Sequence, residues 1–179
     1  MRDGIDRPQA RGSTVVMHVD MHYRFFRNLS HTIQEMLMVS HVRLIEECAE
    51  HDVPFVIMQL KGAGVILPEL SREIESVPRK LILTKPRQDA FDETCLEKDL
   101  KRLNPHTLLF AGVFSSQCVL ATAKSARRLG YGVATSEVMI ADCPCSSCSE
   151  TAHREAITWF AKNGTCCPDY VSPLSLPAA

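Results

Sequence analysis

Short, almost continuous apolar runs alternate along this chain with segments of helical spacing, and that alternation restricts the folds open to it. The runs are residues 14–19 (TVVMHV), 53–58 (VPFVIM), 80–84 (KLILT), 107–113 (TLLFAGV) and 131–138 (YGVATSEV). Apolar runs of this length read as strands buried on both faces, the mark of a parallel sheet covered by helices. Within residues 31–50, Ile33, Met36, Leu37, Leu44, Ile45 and Cys48 recur at helical spacing. Residues 94–103 and 117–129 read as two more helices, the second stopped by Gly130. Residues 150–162 read as an amphipathic helix with Ala152, His153, Ala156, Ile157 and Phe160 on one face, ended by Asn163-Gly164. The Gly- and Pro-containing stretch 62–78 reads as a loop with a short helix over 70–75. Residues 166–171 suggest a last edge strand, and the Pro-rich tail is expected to be loose. The pattern predicts a Rossmann-like, three-layer α/β/α fold with a mainly parallel sheet of five to six strands.

A chain of 179 residues, 45% of them apolar, suffices for one domain with a sizeable core. No internal repeat and no long Pro/Gly/Ser linker divides it, so residues 1–179 are expected to form a single domain with its core over about 14–165. With 20 basic against 21 acidic residues the net charge is −1, which argues against nucleic-acid binding and against attraction to an anionic membrane. No run of 18 apolar residues is present, and residues 1–11 lack the apolar stretch of a secretory signal. The expected location is therefore cytoplasmic, with thiols kept reduced.

In sheets of this kind, ligands bind beyond the carboxyl ends of the strands. Asp20, Lys85 and the turn leading to Cys118 each fall just past an expected strand end. Cys118 also opens an expected helix, where unpaired N–H groups and the helix dipole favour a thiolate and lower the thiol pKa. A thiolate there is a nucleophile, and the same N–H groups suit an oxyanion. Asp20 can take the thiol proton and return it to a leaving group. Lys85 can hold Asp20 ionised and lower the cysteine pKa further. Singly, each residue also fits a plain structural role: a packed small hydrophobe, a turn or cap aspartate, a solvated lysine. Their shared place along one sheet edge is what singles them out.

Three segments resemble the isochorismatase-like superfamily of cysteine hydrolases. VVMHVDMHYRFF is similar to the family's first strand with its aspartate and a phenylalanine five residues on, here Asp20 and Phe25. LTKPRQDAFDETCL is similar to the family's lysine segment, here Lys85, Ala90, Phe91, Thr94 and Leu96. LLFAGVFSSQCVLATAKSARRLGYGVATSEVMIADC is similar to the nucleophile segment, here Gly112, Cys118, Val119, Thr122, Ala123, Gly130, Tyr131 and Asp142. The resemblance implies Cys118 as nucleophile, Asp20 as general base and acid, and Lys85 as the assisting cation. It further implies a cis peptide at Val113–Phe114, and an oxyanion hole from the N–H groups of Phe114 and Cys118. Phe25 and Phe91 would then line the substrate pocket. The family's usual Asp-x-Gln reads Asp20-Met21-His22 here, so His22 either lines the pocket or caps a loop.

Nicotinamidases of that superfamily carry an Asp-x-His metal motif after the second strand. That place reads Gln59-Leu60-Lys61 here, so neither a metal nor another cofactor is expected. A retained Cys118 favours the amide-hydrolysing branches, with C–N cleavage in a small amide, carbamoyl or ureido substrate through a thioester. The alternative is a catalytically silent relative that binds or scaffolds. The resemblance also implies a homo-oligomer. Five of the eight cysteines fall after residue 142. Cys143, Cys145 and Cys148, with Cys166-Cys167, admit a zinc site, redox-sensitive thiols or plain loop cysteines; Cys145-x-x-Cys148 offers one zinc-type pair, and adjacent Cys166 and Cys167 make an awkward second.

Overall fold

The computed structural model of the chain describes residues 14–142 and 149–176. Cys143, Cys145 and Cys148 lie outside these residues. The strands are β1 Thr14–Val19, β2 Phe55–Leu60, β3 Lys80–Lys85, β4 Thr107–Val113, β5 Gly132–Ser136, β6 Ile140–Ala141 and β7 Thr165–Cys167. The helices are α1 Tyr23–Phe26, α2 His31–Glu50, α3 Pro68–Ile74, α4 Leu96–Leu103, α5 Leu120–Arg128 and α6 Ser149–Asn163. A π-helical turn, Ser115–Val119, runs into α5.

The strands form one sheet in the order β3-β2-β1-β4-β5-β7, and the two-residue β6 pairs with the end of β4. Every pairing is parallel. All residues of β1 and β4 are buried, as continuous apolar strands at the centre of a covered sheet require. Successive side chains of a strand point to opposite faces, and the core divides accordingly. Val16, Phe55, Ile57 and Leu109 pack with Leu37, Leu44 and Ile45 of α2 and Leu70 and Ile74 of α3. Val15, Met17, Val56 and Phe110 pack on the other face with Leu96 and Leu100 of α4, Ala123 and Ala126 of α5 and Phe160 of α6. Three layers result.

The sheet has seven strands rather than five to six, because residues 131–138 are not one strand. β5 stops at Ser136, the Met139 N–H closes a turn onto the Ser136 carbonyl at 3.1 Å, and the chain then joins the end of β4 as β6. β2 begins two residues later than expected: Pro54 has no N–H to give the ladder, and Gln59 and Leu60 pair with Thr84 and Lys85 instead. α3 starts at Pro68, where a missing N–H costs nothing. β7 is shorter than 166–171 and ends before Pro168. Up to Leu176 the tail is docked rather than loose. Val171 and Leu176 are buried, Arg43 lies 4.0 Å over the Tyr170 ring, and the Ser172 hydroxyl donates to Glu47 Oε2 at 2.6 Å. No helix among the described residues is long and apolar enough to cross a membrane.

Candidate active site

Asp20 is the first residue beyond β1 and takes a left-handed conformation, φ +49°, which a short polar side chain tolerates better than most. Its N–H donates to the Met58 carbonyl at 3.0 Å, which fixes it against the end of β2. Lys85 closes β3 on the far side of β2 and is wholly buried. Its Nζ lies 2.7 Å from Asp20 Oδ2 and donates to the carbonyls of Arg87 at 3.2 Å and Gln88 at 3.3 Å. The ammonium thus has one carboxylate as ion-pair partner and two carbonyl acceptors, and such pairing is the condition for keeping a charge inside.

Cys118 lies in the π-helical turn after β4, with only 6% of its surface exposed. Its thiol lies beside both Asp20 and Lys85. Gly112 makes this approach possible: it has φ +128°, and a Cβ there would collide with the Val19 carbonyl. The ends of β1 and β4 can therefore lie close enough for Cys118 to meet Asp20. The Val113–Phe114 peptide is cis.

The thiol pKa runs opposite to the expectation from helix position. Burial pushes it up to about 12, the Asp20 carboxylate adds to the rise, and Lys85 opposes it without prevailing. Burial penalises the charged form of a thiol, and the neighbouring ammonium is already engaged by Asp20. Cys118 rests as a thiol beside the Asp20 carboxylate.

His22 is 1% exposed and neither ring nitrogen has a hydrogen-bond partner; Nε2 lies 4.0 Å from Asp20 Oδ1. Its ring meets Phe25 edge-on at 5.7 Å, and Phe25 meets Phe114 at 5.3 Å. These three rings form one wall beside the carboxylate. Phe91 does not join it and packs against the core of the α4–α6 face, to which Cys118 also belongs.

A metal does not fit this donor set. Gln59 and Lys61 bring neither carboxylate nor imidazole to the end of β2, and Asp20 is already neutralised by Lys85. Among the described residues no three His, Cys, Asp or Glu side chains form a cluster able to hold an ion.

One cluster went unrecognised in the sequence. The Ser115 hydroxyl donates to Asp142 Oδ2 at 2.9 Å, and the Ser116 N–H donates to the same oxygen at 2.8 Å. His153 Nδ1 lies 2.8 Å from Ser115 Oγ. A hydroxyl has one proton, and Asp142 receives it, so His153 Nδ1–H must donate to Ser115. Burial lowers the His153 pKa, while Asp142 and Glu137 oppose the shift. The available signal was a histidine on the apolar face of the last helix.

The isochorismatase domain model matches residues 14–167. No curated protein sequence matches the chain. Among solved structures, a nicotinamidase from Staphylococcus aureus superposes with a TM-score of 0.76 at 20% identity, covering 88% of this chain and 98% of that one. The N-carbamoylsarcosine amidase from Thermoplasma acidophilum gives 0.70 at 17% identity, covering 89% and 98%. A ribonuclease from Caenorhabditis elegans gives 0.75 at 16% identity, covering 94% and 81%. At these identities the structural matches speak for the fold.

Proposed function

The chain belongs to the isochorismatase family of hydrolases, and from that premise we propose that Cys118 attacks the carbonyl carbon of a small amide, carbamoyl or ureido substrate and cleaves its C–N bond. The observation that carries this reading is the burial of the Cys118 thiol beside a carboxylate that is ion-paired with an ammonium, Lys85 Nζ to Asp20 Oδ2 at 2.7 Å. The similarity to a nicotinamidase and to N-carbamoylsarcosine amidase is consistent with C–N cleavage.

Burial pushes the Cys118 thiol pKa up, so the thiol is protonated near neutrality. Proton transfer to Asp20 therefore accompanies attack of the sulfur on the carbonyl. The N–H groups of Phe114 and Cys118 receive the oxyanion. Asp20 passes its proton to the departing nitrogen, which leaves as ammonia or an amine, and the acyl group remains on sulfur as a thioester. Asp20 then takes a proton from water, whose oxygen attacks the thioester, and the thiol is restored as the acid product leaves. Lys85 stays paired with the Asp20 carboxylate between steps. His22, with two unpartnered ring nitrogens beside Asp20, hydrogen-bonds the substrate, and Phe25 and Phe114 cover its apolar part. No step needs a metal.

Ammonia release from a panel of small primary amides, carbamoyl and ureido compounds tests the reading. Cys118→Ala is expected to abolish release, and Lys85→Ala to reduce it by about 10²-fold or more. Release that persists undiminished in folded Cys118→Ala would contradict it.

A further inference from the structure

The cluster of Ser115, Asp142 and His153 takes no part in the chemistry just described, yet it sits on the turn that carries it. Ser115 lies between Phe114 and Cys118, the two residues whose amides are proposed to hold the oxyanion. It is wholly buried, and its hydroxyl joins a residue at the end of β6 to a residue of α6. Asp142 also fixes the next amide, that of Ser116.

The turn needs such fixing. Val119 N–H reaches back five residues to the Phe114 carbonyl at 3.3 Å, and Leu120 N–H reaches back five to that of Ser115. This is a π-helical turn, wider than the α-helix that follows, and such turns are rare and frequently sit at functional sites. Its residues, Ser115, Ser116 and Gln117, carry no turn-forming Gly, Pro, Asn or Asp that would impose the geometry locally. The restraint comes from outside, from β6 and α6. His153 is a polar side chain on the apolar face of α6, turned to Ser115.

We infer that Ser115, Asp142 and His153 are positioning residues that hold the wide turn so that the Phe114 and Cys118 amides converge on the oxyanion. The inference rests on the proposed function, since it gives those amides their role. It predicts that loss of the cluster harms carbonyl addition and spares reactions of the same sulfur that form no oxyanion.

Two reagents separate these. Iodoacetamide is attacked at its CH₂ carbon: sulfur displaces iodide, and no oxyanion forms. p-Nitrophenyl acetate is attacked at its carbonyl: an oxyanion forms, p-nitrophenolate leaves, and an acetyl thioester remains. Both rates are measured at Cys118 for the full-length protein and for Ser115→Ala, His153→Leu and His153→Asn, with near-ultraviolet circular dichroism to verify folding. In Ser115→Ala and His153→Leu the p-nitrophenolate burst is expected to slow by about tenfold to about a hundredfold, with alkylation changed less than about threefold. His153→Asn, whose amide nitrogen can replace Nδ1, is expected to recover most of the burst. If Ser115→Ala does not fold, the His153 pair carries the same comparison. Equal losses in both reactions, or no loss in either, would overturn the inference. Unmodified protein that gives neither burst nor alkylation at Cys118 would overturn the proposed function and remove the inference with it, so the two failures are told apart before any substitution is read.

Discussion

At Cys118 two opposing influences meet. A helix start and a nearby ammonium favour a thiolate, while burial and the Asp20 carboxylate favour the thiol, and the second pair wins. The sequence shows the first pair because it shows position; it does not show that Asp20 takes up the Lys85 charge, or how little water reaches the sulfur. This account predicts that alkylation of Cys118 by iodoacetamide keeps rising from about pH 6 to about pH 10, where an ordinary thiol of pKa near 8.5 levels off. A plateau below about pH 8 would show a depressed pKa instead. Replacing Asp20 by Asn should push the two activities apart. Without the carboxylate, Lys85 is left to pair with sulfur, so alkylation near pH 8 should rise by about tenfold, while amide hydrolysis, deprived of its base, should fall by about 10²-fold or more. Mass-spectrometric mapping of the alkylated cysteine and ammonia release read the two effects on one preparation.

Among the elements, those that carry long uniform patterns were legible and those set by neighbours were not. β1 and β4 have the bounds read from the sequence, because an apolar run buried on both faces needs no context to be seen. So does α2, where Ser30 caps the first turn through the Ile33 N–H. α1 with four residues and β6 with two are too short for any period to show. Asp142 and His153 lie 27 and 38 residues beyond Ser115, and the three meet only because β6 returns to β4. Asp20, Lys85 and Cys118 could be assembled beforehand because each marks the end of a strand in one parallel sheet, where ends share an edge. The junction of β1 and β4 depends on Gly112. Gly112→Ala would drive a methyl group into the Val19 carbonyl at φ +128°, and should lower stability by about 3 kcal/mol. Urea denaturation monitored by circular dichroism measures this, and an unchanged midpoint would remove the close-approach argument.

Across the whole molecule, the face covered by α1–α3 hides a pair of histidines that joins β1, α2 and the turn before β6. His41 Nε2 lies 3.0 Å from the Met139 carbonyl and must donate to it, so His41 Nδ1 accepts from His18 Nε2–H, also at 3.0 Å. This assignment goes with the lowered pKa of both rings, which keeps them neutral near pH 7. Burial lowers the His18 pKa well below its usual value, with His41 and His22 adding to the shift. Burial lowers that of His41 from 6.5 to about 4, against the pull of the Met139 carbonyl. In the unfolded chain both protonate near 6.5, so below that pH the unfolded state binds more protons than the folded one. The stability the neutral pair preserves is complete above about pH 6.5 and is lost as the pH falls toward about 4. Urea midpoints should therefore drop between about pH 7 and about pH 5, and a His18→Leu/His41→Met variant should lose that part of the slope. The same sheet delivers Asp20, Lys85 and Cys118 from β1, β3 and the end of β4 to one edge, and the central claim is that they act there as one nucleophile. Its most direct test is to mix the protein with an amide that it hydrolyses, quench with acid within one turnover, and map the product by mass spectrometry. An acyl group is expected on the peptide containing Cys118, absent from Cys118→Ala and Asp20→Asn. Steady hydrolysis with no such adduct, or an adduct on another residue, would contradict it.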